Sequence, residues 1–469
     1  IRSAAAGGGR VVRFGLPLAR GVFTHAAAVL KDAAGRALPC VQETLAHWPD
    51  GSARCLAVRF ITEAPAGQHA LRVGVREGQP SSAGHIAEPA PARGLPAAYV
   101  ALPPEQLCAS GAFGGPLVPS SQTPLSKDLD TRLPDDLRRS IWDTAAREAM
   151  PTDYERGLHE YFYYDTHHAA FQQFVRTGLQ PCFEAGFAVA RSYREETLVL
   201  EGPKRGWPKT PDWDDPERTF IHWWGLRTMY IEGLLDDLHL TGDPRSFELA
   251  RAMADAYVET LPWQNNARRM NLRVNERNPG WPLVELTAFY EVTREQQYLD
   301  SATLVFEDLL QWQDAGGGWL RVYEDTAECA HGCRGGQPFM HAILVEGLAR
   351  YARLTRRADA LESLRKAVAW LLTPEAGWRA EQGGWVYLPG CKDKRQATQV
   401  SMDLSVLISN SLAWGWQFFG EERFRAAALA AFQAGVKRGP VPNGKLFSQH
   451  YRSSGCTLAC LSAPAGTFA

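Results

Sequence analysis

Thr241-Gly242-Asp243, followed by Ser246-Phe247-Glu248-Leu249-Ala250-Arg251-Ala252-Met253, is the stretch from which the fold can be read. A helix closes at the threonine, the glycine supplies a left-handed end, and an amphipathic helix begins three residues on. The same punctuation recurs at Thr177-Gly178, Thr293-Arg294-Glu295, Thr355-Arg356-Arg357 and Phe419-Gly420-Glu421. Steps of 64, 52, 62 and 64 residues separate positions 177, 241, 293, 355 and 419. Five helical hairpins, six with the poorly patterned stretch 133–160, make a repeat array. The spacing is too long for tetratricopeptide or ankyrin units. It predicts a mainly α protein, an (α/α) toroid of paired helices in two rings, with long loops gathered at one mouth.

Ahead of the repeats the period is that of strands. Val11–Gly15, Ala26–Leu30, Cys55–Phe60 and His69–Val75 are short apolar or alternating runs, broken by Pro17, Gly21 and the turn Asp32-Ala33-Ala34-Gly35. Such spacing predicts a small N-terminal β-barrel or sandwich. Residues 76–97 lack periodicity and read as a linker, so the expected domains are 1–97 and 98–469.

Composition narrows the function. The chain of 469 residues carries 50 Lys+Arg against 52 Asp+Glu, a formal charge of −2, which argues against a nucleic-acid partner. No run approaches the roughly 20 apolar residues of a membrane span. Of 15 tryptophans, 13 lie between Trp207 and Trp416. Trp312, Trp370, Trp414 and Trp416 fall within predicted helices and read as core. Those in the loops are placed to stack on sugar rings. Nine cysteines leave at least one thiol unpaired, with Cys329/Cys333 and Cys456/Cys460 as close pairs. The chain starts at Ile1 rather than Met, so a removed leader, and with it a secreted or periplasmic location, is the expectation.

Two groups of motifs carry a resemblance. Phe14-Gly15-Leu16-Pro17-Leu18-Ala19-Arg20-Gly21, Leu38-Pro39-Cys40-Val41-Gln42 and Trp48-Pro49-Asp50-Gly51-Ser52 lie in the β region. His222-Trp223-Trp224-Gly225, Arg277-Asn278-Pro279-Gly280-Trp281-Pro282 and Gln337-Pro338-Phe339-Met340 lie in the helical region. Together they make the chain similar to exo-rhamnogalacturonan lyase-like proteins, over most of its length. Such lyases carry a β-sandwich between barrel and toroid, for which there is little room between residues 75 and 133. The resemblance implies exo-acting β-elimination on a uronic-acid-containing polysaccharide at the toroid mouth.

That chemistry has fixed demands. The proton at C5 is acidic only if the neighbouring carboxylate is neutralised, a base must reach it, and an acid must protonate the oxygen leaving C4. The mouth loops offer four sets of candidates. Tyr161-Phe162-Tyr163-Tyr164-Asp165-Thr166-His167-His168 supplies Tyr164 and His168 as acid and base. His222 stands at a helix start with Trp223, Trp224, Arg227 and Tyr230. Asn271-Leu272-Arg273-Val274-Asn275-Glu276-Arg277-Asn278 concentrates forked donors suited to a carboxylate. Asn275 and Arg277 are expected to neutralise it, with Arg273 and Glu276 binding beside them. An N-cap at Asn278 ahead of Pro279 is the structural alternative. His341 follows on a later inner helix, as a catalytic or a buried core histidine. Trp281, Trp319 and Trp385, like Trp223 and Trp224, are expected to stack on sugars.

Elimination requires no cofactor. Cys329, His331 and Cys333 have a spacing that can ligate zinc, with Glu324, Glu328 or Cys391 as further ligands; calcium is the other metal considered, and a disulfide or unrelated thiols are the non-metal alternatives. A glycoside hydrolase on the same toroid would use paired carboxylates, with Glu276 and Asp165 as candidates, or a zinc-thiolate. A carbohydrate-binding protein without turnover is the third reading. Gly316-Gly317-Gly318 precedes no Lys-Ser/Thr, and no Gly-x-Ser-x-Gly elbow occurs.

Overall fold

A computed structural model describes residues 2–3, 9–65, 67–80, 86, 98–142, 162–209, 223–264, 272–323, 329, 331–393, 397–438, 441 and 443–469. The toroid follows from one local device used repeatedly. Helices Thr166–Thr177, Glu232–Thr241, Arg277–Thr293, Pro338–Thr355 and Ser405–Phe419 end at the five quoted turns. The residue after each end, Gly178, Gly242, Arg294, Arg356 or Gly420, has φ between 55° and 69°. In four of the five the terminal threonine hydroxyl donates to the carbonyl four residues back. The same hydroxyl accepts from the N–H two residues on. It thereby satisfies groups that a helix end would otherwise leave exposed. The chain turns tightly and runs back as Gln180–Ser192, Pro244–Gln264, Gln296–Trp312, Ala358–Trp370 and Glu422–Val436.

The first member of each hairpin is buried on nearly every side, and the second only on one face. The buried members therefore form an inner ring. Each packs on the next, and Gly444–Tyr451 with Ser454–Ser462 brings the ring back to Thr166–Thr177. Glycines set the closest approach: a Cβ on Gly280 would meet the Leu344 backbone at 3.0 Å, and one on Gly347 would meet the Gly280 carbonyl at 3.0 Å. The early helix Lys127–Leu137 braces the last inner segment, where Tyr451 donates to Asp136 at 2.9 Å and Ser140 to the Val441 carbonyl at 3.1 Å.

The N-terminal region is a small β unit. One antiparallel sheet orders strands Arg10–Pro17, Ala53–Thr62 and Cys40–His47; a second orders Ala37–Leu38, Ala26–Lys31 and Arg72–Glu77. Arg2–Ser3 pairs with both Gly67–Gln68 and Ala98–Tyr99. The strand Arg10–Pro17 docks on the end of Glu232–Thr241, where Gly15 lies so close to the His239 carbonyl that no side chain fits. The β unit thus covers the end of the ring at which the inner helices terminate. Their starts face the other way and form the mouth. Between the two regions the described residues form helices Pro104–Ser110 and Lys127–Leu137, with no sandwich among them. Among the described residues no helix is long and apolar enough to cross a membrane.

Candidate functional site

At the mouth the inner-helix starts bring aromatic and cationic side chains together. The chain enters Thr166–Thr177 through Tyr164 and Asp165, both left-handed, with φ of 66° and 60°. Asp165 then caps the helix by accepting from the His168 N–H at 3.2 Å, and also accepts from Gly233 at 3.2 Å. Left-handed backbone at a residue as bulky as tyrosine is a strained arrangement of the kind concentrated at functional sites.

Asn275 opens the next element. Its Oδ1 accepts from the Arg277 N–H at 3.1 Å, and Arg277–Thr293 follows. The helix therefore starts before Asn278: Glu276 takes the cap position without a side-chain cap bond, and Asn275 holds the first helical N–H from just outside it. Arg277 Nη1 donates to the Tyr163 hydroxyl at 2.7 Å. Its guanidinium lies 5.8 Å from the ring centres of both Tyr163 and Phe339. Lys445 Nζ stands 5.6 Å from the Tyr163 ring, and Tyr387 stacks on Phe339 at 5.3 Å.

Electrostatics single out the same place. Burial, and after it the charge of Arg277, together lower the Arg227 pKa to about 10. Burial likewise works against the charge on Arg277, but Tyr163 and Tyr164 outweigh it and the net shift is upward. The Tyr164 phenol is pushed up by its own burial, so it stays protonated. Two buried guanidiniums thus crowd one another among phenols. Several buried polar atoms here also find no hydrogen-bond partner among the described residues: Arg277 Nε, both amide atoms of Asn278 and Trp281 Nε1. Native interiors rarely leave such atoms unsatisfied.

The other candidates fall elsewhere. His222 lies outside the described residues, and Trp223 and Trp224 are described only as backbone of the short helix Trp223–Leu226. His168 belongs to the interior: Nδ1 is 2.6 Å from Asp236 and Nε2 is 2.9 Å from Gln172. Burial works to lower its pKa, but Glu232 and Asp236 outweigh it and the net shift is upward. His341 is fully buried between Trp319 and Trp370, at 4.7 and 4.4 Å between ring centres, and burial drops its pKa to about 3. It is a core histidine.

Three tryptophans expected to stack on sugars are core as well. Trp281 packs edge-on to Tyr230 at 5.0 Å with Arg452 over its face. Trp319 donates to the Leu309 carbonyl at 3.0 Å and Trp385 to the Leu371 carbonyl at 2.7 Å. All three are at most 1% exposed, so no ring face is offered to a ligand. Their size and apolarity made the interior the stronger claim. Arg273 is paired with Asp308 at 2.9 Å on an outer helix. Glu276 is wholly buried, accepting from the Gln337 N–H at 2.9 Å, with Arg321 at 3.4 Å. It anchors the next inner helix rather than a substrate, and Asp165, equally buried, is held as a helix cap.

Of the metal candidates, Cys329 and Cys333 are buried while His331 is exposed. Cys391, from the following mouth loop, takes the place expected of the histidine. The sequence undervalued Tyr163, which stands beside Tyr164 in the same run. It gave no signal for Lys445, because nothing local marks a lysine 282 positions from the tyrosine it approaches. A cavity of about 790 Å³ lies at the opposite end, under the β unit, lined by Trp48, Arg54, Asp236, Glu291 and Arg353 among others. It shares no lining residue with the tyrosine–arginine cluster.

No protein-family model matches the sequence, and no curated protein matches it. Solved structures do. A polysaccharide lyase is 11% identical with a TM-score of 0.50, the match covering 71% of this chain and 97% of that one. A glycosyl hydrolase of family 88 from Bacteroides vulgatus is 11% identical with a TM-score of 0.49, over 71% and 99% of the two chains. An unsaturated glucuronyl hydrolase from Streptococcus agalactiae is 11% identical with a TM-score of 0.47, over 75% and 94%. At such identities the likeness to the lyase is one of fold.

Proposed function

We propose that the protein is a glycan-processing enzyme that takes an acidic sugar at the toroid mouth and cleaves it by β-elimination. The observation that carries this reading is the Arg277–Tyr163 pair, 2.7 Å apart with Arg227 beside it and the Asn278 amide without a hydrogen-bond partner among the described residues. A uronate carboxylate set against Arg227 and Arg277 would relieve their mutual repulsion and accept forked hydrogen bonds. Neutralising that carboxylate is what makes the C5 proton removable. With Arg277 donating to its oxygen, Tyr163 is the base: its phenolic proton leaves to solvent beforehand, and the oxygen then takes the C5 proton. The Tyr164 phenol, held protonated, is suited to support the leaving oxygen. Asn278 supplies further donors to the acidic sugar. Arg277 and Arg227 are only 9% and 6% exposed, which suits the end of a chain more than its middle.

Hydrolysis by Glu276 and Asp165 is disfavoured because both carboxylates are fully buried and engaged with backbone N–H groups. The likeness to a lyase is one of fold and chooses neither the reaction nor the sugar. Action outside the cytoplasm, where polymeric glycans are met, belongs to the same reading. The test is digestion of a panel of uronate polysaccharides and their oligosaccharides, followed by ultraviolet absorbance and reducing ends together. Elimination gives an unsaturated product that absorbs; reducing ends without new absorbance would overturn it.

A further inference from the structure

Outside the tyrosine–arginine cluster, the densest set of metal-ligating side chains is formed by three thiols. Cys329, Cys333 and Cys391 come from two consecutive mouth loops, and their sulfurs all lie within 4.8 Å of one another. Each is at most 7% exposed. Tetrahedral zinc with bonds of about 2.3 Å holds its sulfurs about 3.8 Å apart, between the 3.3 Å that separates Cys329 and Cys391 Sγ and the 4.8 Å limit of the group, so only small adjustment is needed. A disulfide would use two of the thiols and leave the third buried beside it.

The backbone is built around these sulfurs. Strands Arg321–Val322 and Arg334–Gly335 pair as the base of the loop that holds Cys329 and Cys333, and Tyr323 N–H donates to the Cys333 carbonyl at 2.8 Å. Gly332, just ahead of Cys333, is left-handed with φ of 58°, which turns the chain back on itself. The second loop fits closely against the first: a Cβ on Gly335 would meet the Pro389 carbonyl at 2.6 Å, and one on Gly390 the Arg334 carbonyl at 2.9 Å. The Lys392 N–H donates to Cys333 Sγ at 3.2 Å, the kind of second hydrogen bond that steadies a metal-bound thiolate.

We propose that Cys329, Cys333 and Cys391 bind one thiophilic divalent cation, zinc first, which ties the two mouth loops together. Each thiol gives its proton to solvent as its sulfur donates an electron pair, and nothing is oxidised or reduced. Among the described residues no fourth His, Cys, Asp or Glu atom joins the group, so the fourth corner falls to water or another small ligand. Leu388 and Tyr387 pack against the cluster, and Tyr387 in turn stacks on Phe339 beside Arg277. The ion therefore positions the wall of the mouth and is not itself assigned a reacting role.

The test is made on the whole chain purified under reducing conditions and equilibrated with zinc, then with cobalt. About one ion per chain, sulfur-to-cobalt charge transfer with tetrahedral visible bands, and about three sulfur scatterers in X-ray absorption are expected. Cys333→Ser and Cys391→Ser should each lose the ion, whereas Cys40→Ser, in the β unit, should keep it. Absence of a stoichiometric ion would overturn the proposal. So would fewer than three sulfur scatterers, or two missing thiols when unreduced protein is titrated in denaturant with chelator. The absorption count on the unmutated chain decides the matter even if the serine variants fail to fold.

Discussion

Two buried groups of charge lie on the inner ring, one at the mouth and one midway along its axis, and they are built on opposite terms. On the axis, Arg452 is 2.6 Å from Glu232 and 2.7 Å from Glu346, while Arg350 reaches the same two carboxylates and donates to the Gly114 carbonyl at 2.8 Å. Two cations meet two anions, drawn from helices Glu232–Thr241, Pro338–Thr355 and the last inner segment. At the mouth, Arg227 and Arg277 meet phenols, repel each other and adjoin the Asn278 amide, which finds no partner among the described residues. A network whose charges cancel internally holds helices in place. One that sets two neighbouring cations among phenols is suited to an anionic ligand. The same contrast holds for backbone strain. Arg294 and Arg356 are left-handed at helix ends, where that conformation closes the hydrogen bonding, whereas Tyr164 and Asp165 are left-handed at a helix start.

The contrast breaks most readily on the axis. Arg452→Met leaves Glu232 and Glu346 short of a partner, and breaking a buried ion network in this way costs about 3–5 kcal/mol. Denaturant unfolding should show that loss, with activity of the remaining folded protein near normal at saturating substrate. If the variant is as stable as the parent, the axial network is not a scaffold.

Arg277→Ala is the complementary change. Turnover on an acidic oligosaccharide should fall about 1000-fold, roughly 4 kcal/mol of transition-state stabilisation. The unfolding midpoint should move much less than in Arg452→Met. Arg277→Lys should recover little, because a point charge cannot reproduce the fork. Steady-state kinetics beside a melting curve checks both, and a variant that loses stability but not turnover would move Arg277 to the scaffold.

How much of this was legible follows from how local each cause is. The five hairpin turns were readable because a threonine, a left-handed residue and the next helix lie within a few positions, and the structure places all five where the spacing put them. Arg277 and Asn275 were legible as a donor-rich segment. The fate of the tryptophans was not, because Trp281, Trp319 and Trp385 sit in loops or at helix starts in sequence and are buried by elements tens of residues away. Cys391, 58 residues beyond Cys333, joined its cluster for the same reason. His331 was misjudged by the converse: adjacency in sequence did not bring its ring inward.

Acid tests the interior by degrees. His341 and His167 are held neutral, burial lowering their pKa values to about 3 and about 4. The unfolded chain takes up protons on these rings below about pH 6.5, and the folded chain does not. Their stabilising effect is therefore complete above pH 6.5 and is lost as pH falls towards 4, by at most about 1.4 kcal/mol per pH unit for each ring. The melting temperature should fall over that window, and His341→Phe should flatten the fall without altering substrate binding.

The smallest effect separates a buried tryptophan from a sugar platform. Trp385 packs on Trp378 at 4.5 Å and donates to the Leu371 carbonyl at 2.7 Å, so Trp385→Phe removes a hydrogen bond and some volume. About 1–3 kcal/mol of stability should be lost, and KM should stay within about twofold of the parent, since an effect that small is under 0.5 kcal/mol. A platform residue would behave the other way, because a lost stacking surface weakens binding while the fold is spared. A large rise in KM at unchanged stability would return Trp385 to the sugar site, and would mean that the mouth binds through its wall as well as through its paired arginines.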